Sequence, residues 1–185
     1  MPDVRDALLD AAYDAAVTTG WQRARMADIA KAAKVSRQTL YDQFGSREGL
    51  ALHLALRETE RFLDGVERAM DKRSGDIQEA FEAAATFALK QAENNPLIRS
   101  ILMENGEAGL LPYMTTRAEP LIDAAKERLV AYLNENFPGL DDDHAHEVGE
   151  VVTRLTLSYI VLPGPVPATA ADRISRVAAY VLERV

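Results

Sequence analysis

Gly20-Trp21-Gln22-Arg23-Ala24-Arg25-Met26-Ala27-Asp28-Ile29-Ala30-Lys31-Ala32-Ala33-Lys34-Val35-Ser36-Arg37-Gln38-Thr39-Leu40-Tyr41-Asp42-Gln43-Phe44 reads as two short helices joined by a turn at Lys34-Val35-Ser36. The first helix, about Met26 to Ala33, buries Met26, Ile29, Ala30 and Ala33; the second runs from Arg37 to about Gln43. Two helices that cross at a tight turn need a small residue at the crossing, an apolar residue in the turn, and apolar residues one turn apart on the second helix. Ala30, Val35 and the Leu40/Phe44 pair meet those needs in turn. Ser36 stands where its hydroxyl can cap the second helix, accepting from the backbone N–H of Gln38 or Thr39.

With Leu40 and Phe44 inward, Arg37, Gln38 and Tyr41 point outward from the first turns of the second helix. Their side chains have the reach and hydrogen-bonding pattern for base edges, Arg for guanine and Gln for adenine. A recognition helix in the major groove uses this N-terminal part of its length. The hydroxyls of Thr39 and Tyr41 and the charges of Arg25, Lys34 and Arg47 suit phosphates, and Ser36 at the helix entrance joins the same set. Double-stranded DNA is therefore the expected partner.

The overall charge at first argues otherwise. The chain carries 21 Lys+Arg against 29 Asp+Glu, a formal charge of −8 and a pI near 4.9. Those charges are segregated, however. Residues 23–47 hold six bases and two acids, a local net of +4, whereas residues 51–185 hold 14 bases against 22 acids. A chain built this way can set one end on DNA and keep the other off it.

Outward from this segment the pattern is helical throughout. Alanine, the best helix former, occurs 30 times in 185 residues, and aromatic residues make up 6%. Between Pro2 and Pro96 there is no proline to break a helix. Apolar spacing, caps and prolines predict about nine helices: 3–19, 26–33, 37–43, 46–72, 76–94, 96–103, 118–136, 141–161, and from about Thr169 to the C-terminus. Asn95 caps the sixth and Pro120 sits at the start of the seventh. A turn-rich break covers Gly106 to Met114, with room for one short helical turn, and Pro163-Gly164-Pro165-Val166-Pro167 forms a tight linker. The expected fold is all-α, with a helix-turn-helix domain over 1–46 and a helical domain over 47–185.

Several function classes fall away. With no cysteine, there is no disulfide, thiolate metal site or Cys nucleophile. The N-terminus lacks the apolar core of a signal peptide and no apolar run approaches the ~18 residues of a membrane span, so a cytoplasmic protein with no membrane partner is expected. Neither a phosphate loop nor a catalytic triad is visible, so neither enzyme activity nor a cofactor is expected. Asp141-Asp142-Asp143-His144-Ala145-His146-Glu147 looks like a metal cluster. On a helix, though, His144 and His146 diverge by about 200°, and only His146 and Glu150 share a face. The acids are better read as complementing a helix N-terminus, with no metal bound.

The residues Gly20-Trp21, Asp28-Ile29-Ala30, Val35-Ser36, Thr39-Leu40-Tyr41, Phe44 and Ser46-Arg47-Glu48-Gly49-Leu50 give the first ~55 residues a specific resemblance to the TetR family of bacterial transcriptional repressors. Two positions depart from the family pattern. Ala24-Arg25 stands where a capping Thr is common, and Lys34 stands where the turn often has Gly, at roughly 1 kcal/mol for a left-handed backbone. The resemblance implies a three-helix DNA-binding domain with contacts at Arg25, Arg37, Gln38, Thr39, Tyr41 and Arg47. It also implies a variable helical domain that binds a small ligand and dimerises.

In that second domain Phe62, Phe81, Phe87, Ile101, Met103, Tyr113, Met114 and Tyr159 are the candidate ligand residues. Large apolar side chains also fill helical cores, so only the resemblance makes a cavity of them. Their apolar character implies a small hydrophobic effector, an acyl chain or a hydrophobic xenobiotic. The stripes containing Val148, Val152 and Leu155, and Ile174, Val177 and Val181, are the candidate homodimer interface. A twofold dimer reads a palindrome. The function implied is a ligand-responsive repressor. An activator of the same fold, or a dimeric helical module that does not bind DNA, remain the alternatives.

Overall fold

The structure is a computed structural model that describes residues 3–73, 75–103, 109–164 and 166–182. Among the described residues there are nine α-helices and no strand: α1 (Val4–Thr19), α2 (Met26–Ala32), α3 (Arg37–Phe44), α4 (Arg47–Asp71), α5 (Ile77–Asn94), α6 (Pro96–Met103), α7 (Glu119–Asn136), α8 (Asp142–Val161) and α9 (Pro167–Leu182). The all-α expectation is met element by element. Short 3-10 turns at Trp21–Arg23 and Leu111–Met114 punctuate the chain. Gly106 of the expected turn-rich break and Pro165 of the expected linker lie outside the described residues.

The helix starts follow from their capping chemistry. Asp3 Oδ1 accepts from the Arg5 N–H at 3.1 Å, Asp76 Oδ1 from the N–H groups of Gln78 and Glu79, and Asn95 Oδ1 from those of Leu97 and Ile98. Each satisfies amides that have no partner inside the helix. The last helix begins at Pro167 rather than near Thr169. Proline there lacks only an N–H the first turn would not use, and the Val166 carbonyl accepts from Thr169 and Ala170.

The chain divides into two compact units. One comprises Met1–Glu58 and Asn95–Arg117, the other Thr59–Asn94 and Ala118–Val185. In the first, α1, α2, α3, the start of α4 and α6 bury Leu8, Ala12, Trp21, Ile29, Ala30, Leu40, Leu50 and Leu54. Arg57 ties α4 to α1 through Asp10 at 2.8 Å, and the Ser100 hydroxyl donates to the Ala16 carbonyl at 2.8 Å. In the second unit the alanine-rich face of α5 lies along α9, and α7 lies along α8. Its core includes Met70, Ala80, Phe81, Ala84, Leu133, Val148 and Ile174. Small residues let these helices approach closely: a Cβ on Gly65 would come within 2.2 Å of the Phe87 ring.

Candidate nucleic-acid interface

The α2–α3 turn is closed by two backbone bonds, Val35 N–H to Ala30 O at 3.0 Å and Lys34 N–H to Lys31 O at 3.1 Å. This is the Schellman pairing, and it puts the residue after the cap in a left-handed conformation. That residue is Lys34, at φ 59, the left-handed lysine the sequence anticipated. Its exposed side chain leaves the turn toward solvent beside α3.

Helix α3 shows the two faces expected of it. Leu40 (0% exposed) and Phe44 (6%) are buried, while Arg37, Gln38, Tyr41, Asp42 and Gln43 are exposed. Ser36 is the cap: its Oγ accepts from the Thr39 N–H at 3.0 Å and lies 2.9 Å from Thr39 Oγ1. Ser36 and Thr39 hydroxyls thus serve the helix start. The guanidinium of Arg37 lies 5.9 Å from the centre of the Tyr41 ring, and Gln38 Nε2 donates to Asp42 Oδ1 at 2.7 Å. Arg37 and Gln38 therefore each have a neighbour one turn on that limits their rotamers. The Asp42 bond uses one of the two Gln38 N–H groups.

Behind α3 the chain turns sharply. Gly45 sits at φ 70, and the Ser46 N–H donates to the Phe44 carbonyl at 2.7 Å, a γ-turn that favours glycine. Ser46 Oγ then caps α4 by accepting from Gly49 N–H at 3.0 Å. Gly49 lies in this first turn, where a glycine ordinarily costs helix stability. The structure makes it necessary, because a Cβ there would lie 2.0 Å from the Phe44 carbonyl oxygen. Hydrogen bonds from its own backbone N–H and from Ser46 hold the Glu48 carboxyl below its ordinary pKa. The Phe44 ring is flanked by the Arg5 guanidinium at 5.0 Å and, edge-on, by His53 at 5.4 Å.

The remaining candidate DNA contacts split. Arg25 occupies the exposed residue before α2 and makes no side-chain cap there, consistent with the missing Thr. Arg47 is half-buried and turned inward: Nη1 donates to the Ala24 carbonyl and Nη2 to that of Trp21, with Gln22 O at 3.5 Å.

The candidate ligand residues fall in both units. Phe62 and Phe87 meet at 6.2 Å between ring centres in the second unit, where Phe81 is buried and Tyr159 half-buried against Gly164. Ile101, Tyr113, Met103 and Met114 belong to the first unit; Tyr113 is buried and donates to the Glu48 carbonyl at 3.1 Å, whereas Met103 is 75% exposed. Of the candidate interface residues, Val148, Val152 and Ile174 are buried in the chain's own core, and Leu155, Val177 and Val181 are half-buried.

The second unit also holds a cleft of about 670 Å³ between α4 and α7, lined by Glu60, Glu67, Asp71, Glu127, Glu135, Arg128 and Tyr132. Arg128 bonds to Glu67, Asp64 and Glu60 at 2.6–2.8 Å, and these carboxylates raise its pKa above the ordinary value. Burial, with Asp71 nearby, pushes the Tyr132 phenol up to about 12. In the acidic segment, His144 Nδ1 lies 2.9 Å from Asp141, and Glu150 is held by Arg154 and Lys126 rather than facing His146 alone.

Residues 8–54 match the model of the tetR family of bacterial regulatory proteins, and residues 76–180 match that of the bacterial tetracyclin repressor C-terminal domain. The chain is 33% identical over 181 residues to the HTH-type transcriptional regulator AlkX of Mycobacterium tuberculosis, covering 98% of this chain and 86% of the relative. Its structure is similar to that of the TetR family repressor AlkX from Dietzia sp., implicated in biodegradation of n-alkanes, with a TM-score of 0.84, 32% identity, and coverage of 100% of this chain and 97% of that one. The regulator SCO7518 of Streptomyces coelicolor shares the fold at a TM-score of 0.65 and 20% identity, over 96% of this chain and 99% of its own.

Proposed function

The chain belongs to the TetR family of bacterial transcriptional regulators, and on that premise we propose that it is a ligand-responsive repressor acting as a cytoplasmic homodimer on a palindromic operator. Residues 1–46 form the DNA-reading part and residues 47–185 bind the effector and dimerise. The observation that carries the DNA half is the outer face of α3: Arg37, Gln38 and Tyr41 are exposed on the first turns while Leu40 and Phe44 anchor the helix. Arg37 and Gln38 read base edges, and Arg25, Lys34 and Tyr41 contact phosphates. Thr39 and Ser36 contribute at the helix entrance, where their hydroxyls also hold the cap.

The dimer reading is supported by apolar surface left on the last two helices and between them. Leu155, Val177 and Val181 are half-buried, and Leu162 and Tyr180 are 80% and 55% exposed. A twofold dimer that reads a palindrome sets its two recognition helices roughly 34–36 Å apart, or somewhat more, in successive major grooves. The single helix α4 carries residues of both units. A ligand that favours another tilt of α4 changes that spacing and releases DNA, provided it binds that state better. Similarity over the whole chain to a repressor implicated in n-alkane biodegradation supports a hydrophobic, alkane- or acyl-like effector.

Sedimentation and a gel shift with the chain's own upstream DNA test this reading together. A dimer at micromolar concentration that shifts this duplex, and lets it go when an n-alkane or acyl-chain compound is added, is expected. A monomer under those conditions would remove the palindrome, and a duplex that never shifts would leave the helical interaction module as the better account.

A further inference from the structure

We propose that Arg47 is a positioning residue for DNA binding and not a phosphate contact: its guanidinium locks the Trp21–Ala24 turn that presents Arg25. The inference deepens the DNA-binding reading and rests on it for its functional half; the clamp itself does not depend on DNA.

Arg47 is the first residue of α4, yet its side chain turns away from the outer surface. The two η nitrogens donate to the carbonyls of Ala24 and Trp21, with Gln22 O at 3.5 Å, and the guanidinium carbon stands 5.1 Å from the centre of the Trp21 ring. The turn needs such a donor. The Trp21 carbonyl already accepts from the Ala24 N–H at 3.1 Å, but among the described residues no backbone N–H reaches the carbonyl of Ala24, which is 5% exposed and follows the buried Trp21 turn. Carbonyls left unpaired at buried residues are costly.

A planar fork of five donors spans two carbonyls and lies over an indole at once, which a lysine ammonium cannot do. To reach a phosphate, Arg47 would have to release these carbonyls and the ring. Ala24 leads directly into Arg25, the exposed residue at the start of α2. At the other side of the loop, Ser46 and Gly49 fix α4 against the end of α3. Arg47 therefore closes the segment from Trp21 to α4 into one frame, and Arg25 and α3 hold their spacing because of it.

The two roles predict opposite behaviour from a conservative variant. Trp21 is the only tryptophan in the chain, so its emission reports the clamp alone, without DNA. We compare wild type, Arg47→Lys and Arg47→Ala in Trp21 emission, and in affinity for the chain's upstream duplex and a random duplex across a salt series. Far-UV circular dichroism at the assay temperature verifies the fold. A clamp predicts that Lys does not rescue. Both variants shift the emission, both lose tenfold or more on the upstream duplex within about twofold of each other, and both lose less on random DNA, where only the displaced Arg25 phosphate contact counts.

A phosphate contact predicts unchanged emission, near-wild-type binding by Arg47→Lys, and for Arg47→Ala an equal loss on both duplexes with a salt slope lower by about one. That pattern would overturn the proposal. So would variants that melt earlier yet bind the upstream duplex with wild-type affinity while folded, since the role would then be structural only. Wild type failing to bind any duplex would instead sink the DNA reading and the positioning role with it, while a shifted emission in Arg47→Lys would still establish the clamp.

Discussion

Helix α4 is held by an arginine near its start and by another along its second half, through different chemistry. At the first turn Arg47 sits on uncharged backbone carbonyls and an indole. Farther along, Arg128 from α7 sits among the carboxylates of Glu60, Asp64 and Glu67 and is 28% exposed. The first arrangement sets geometry: it needs a flat donor fork and gains little from charge. The second balances charge: three acids at helical spacing on one face of α4 repel one another, and one cation offsets them. The charge asymmetry of the chain thus has a structural counterpart. The unit that contains the basic 23–47 segment uses an arginine to hold its turn, and the acidic unit uses one to offset its own carboxylates.

Substitutions can break this contrast, and the largest effect should come from Gly49→Ala. The new Cβ would meet a backbone carbonyl, which cannot swing aside, so the α3–α4 joint must shift. A loss of about 3 kcal/mol in urea unfolding is expected, even after alanine's helix preference. The matching change in the other unit, Gly65→Ala, meets the far end of the Phe87 ring, a side chain that can swing aside where a backbone carbonyl cannot, and should lose about 1 kcal/mol. Equal losses would mean that the γ-turn is not the rigid joint described above.

Arg128→Met should come between these two, at about 2 kcal/mol, because it leaves three acids without their cation. The deficit should shrink in 1 M salt, where the Debye length is about 3 Å. The emission change in Arg47→Lys should not respond to salt. A salt-independent Arg128→Met deficit would indicate lost packing rather than lost charge balance.

The smallest effect concerns Tyr132. Its phenol is raised to about 12 in the folded chain against 10.0 ordinarily, so the folded state holds that proton more tightly than the unfolded one. The stability this gives is complete below pH 10 and is lost as pH rises toward 12. Tyr132→Phe should remove that alkaline slope and change stability little near neutrality, since the buried hydroxyl has no hydrogen-bond partner among the described residues. Unfolding curves for the two proteins that stay parallel from pH 9 to 12 would contradict it.

The helices, the Ser36 cap and the two faces of α3 were legible because each follows from local spacing or local backbone chemistry, whereas the left-handed Lys34 was legible only through the family resemblance, at a turn position that often has Gly. Arg47 was not. Its basic charge beside a recognition helix suggests phosphate, and only the three-dimensional approach of Trp21 and Ala24, more than twenty residues away in sequence, shows what it holds. The need for glycine at Gly49 escaped for a different reason: the Phe44 carbonyl that excludes a Cβ is only five residues away, but it is brought there by the γ-turn at Gly45. Periodicity identified the apolar faces of α8 and α9 but could not say which neighbour covers them: Val148, Val152 and Ile174 are covered within the chain itself. Sequence order likewise hid that Ile101 and Tyr113 pack with the N-terminal helices, apart from Phe62 and Phe87. Pro167, read as linker, is the first residue of α9 because a proline both ends and begins helices.

The central claim is that α3 reads DNA sequence through the outward side chains of its first turns, and Arg37→Ala tests it most directly. Affinities for the chain's own upstream duplex and for a random duplex should be measured by titration at one fixed salt concentration. The account predicts a roughly ten- to hundredfold loss on the upstream duplex and little change on the random one. Equal losses on the two, or undiminished binding to the upstream duplex, would contradict it.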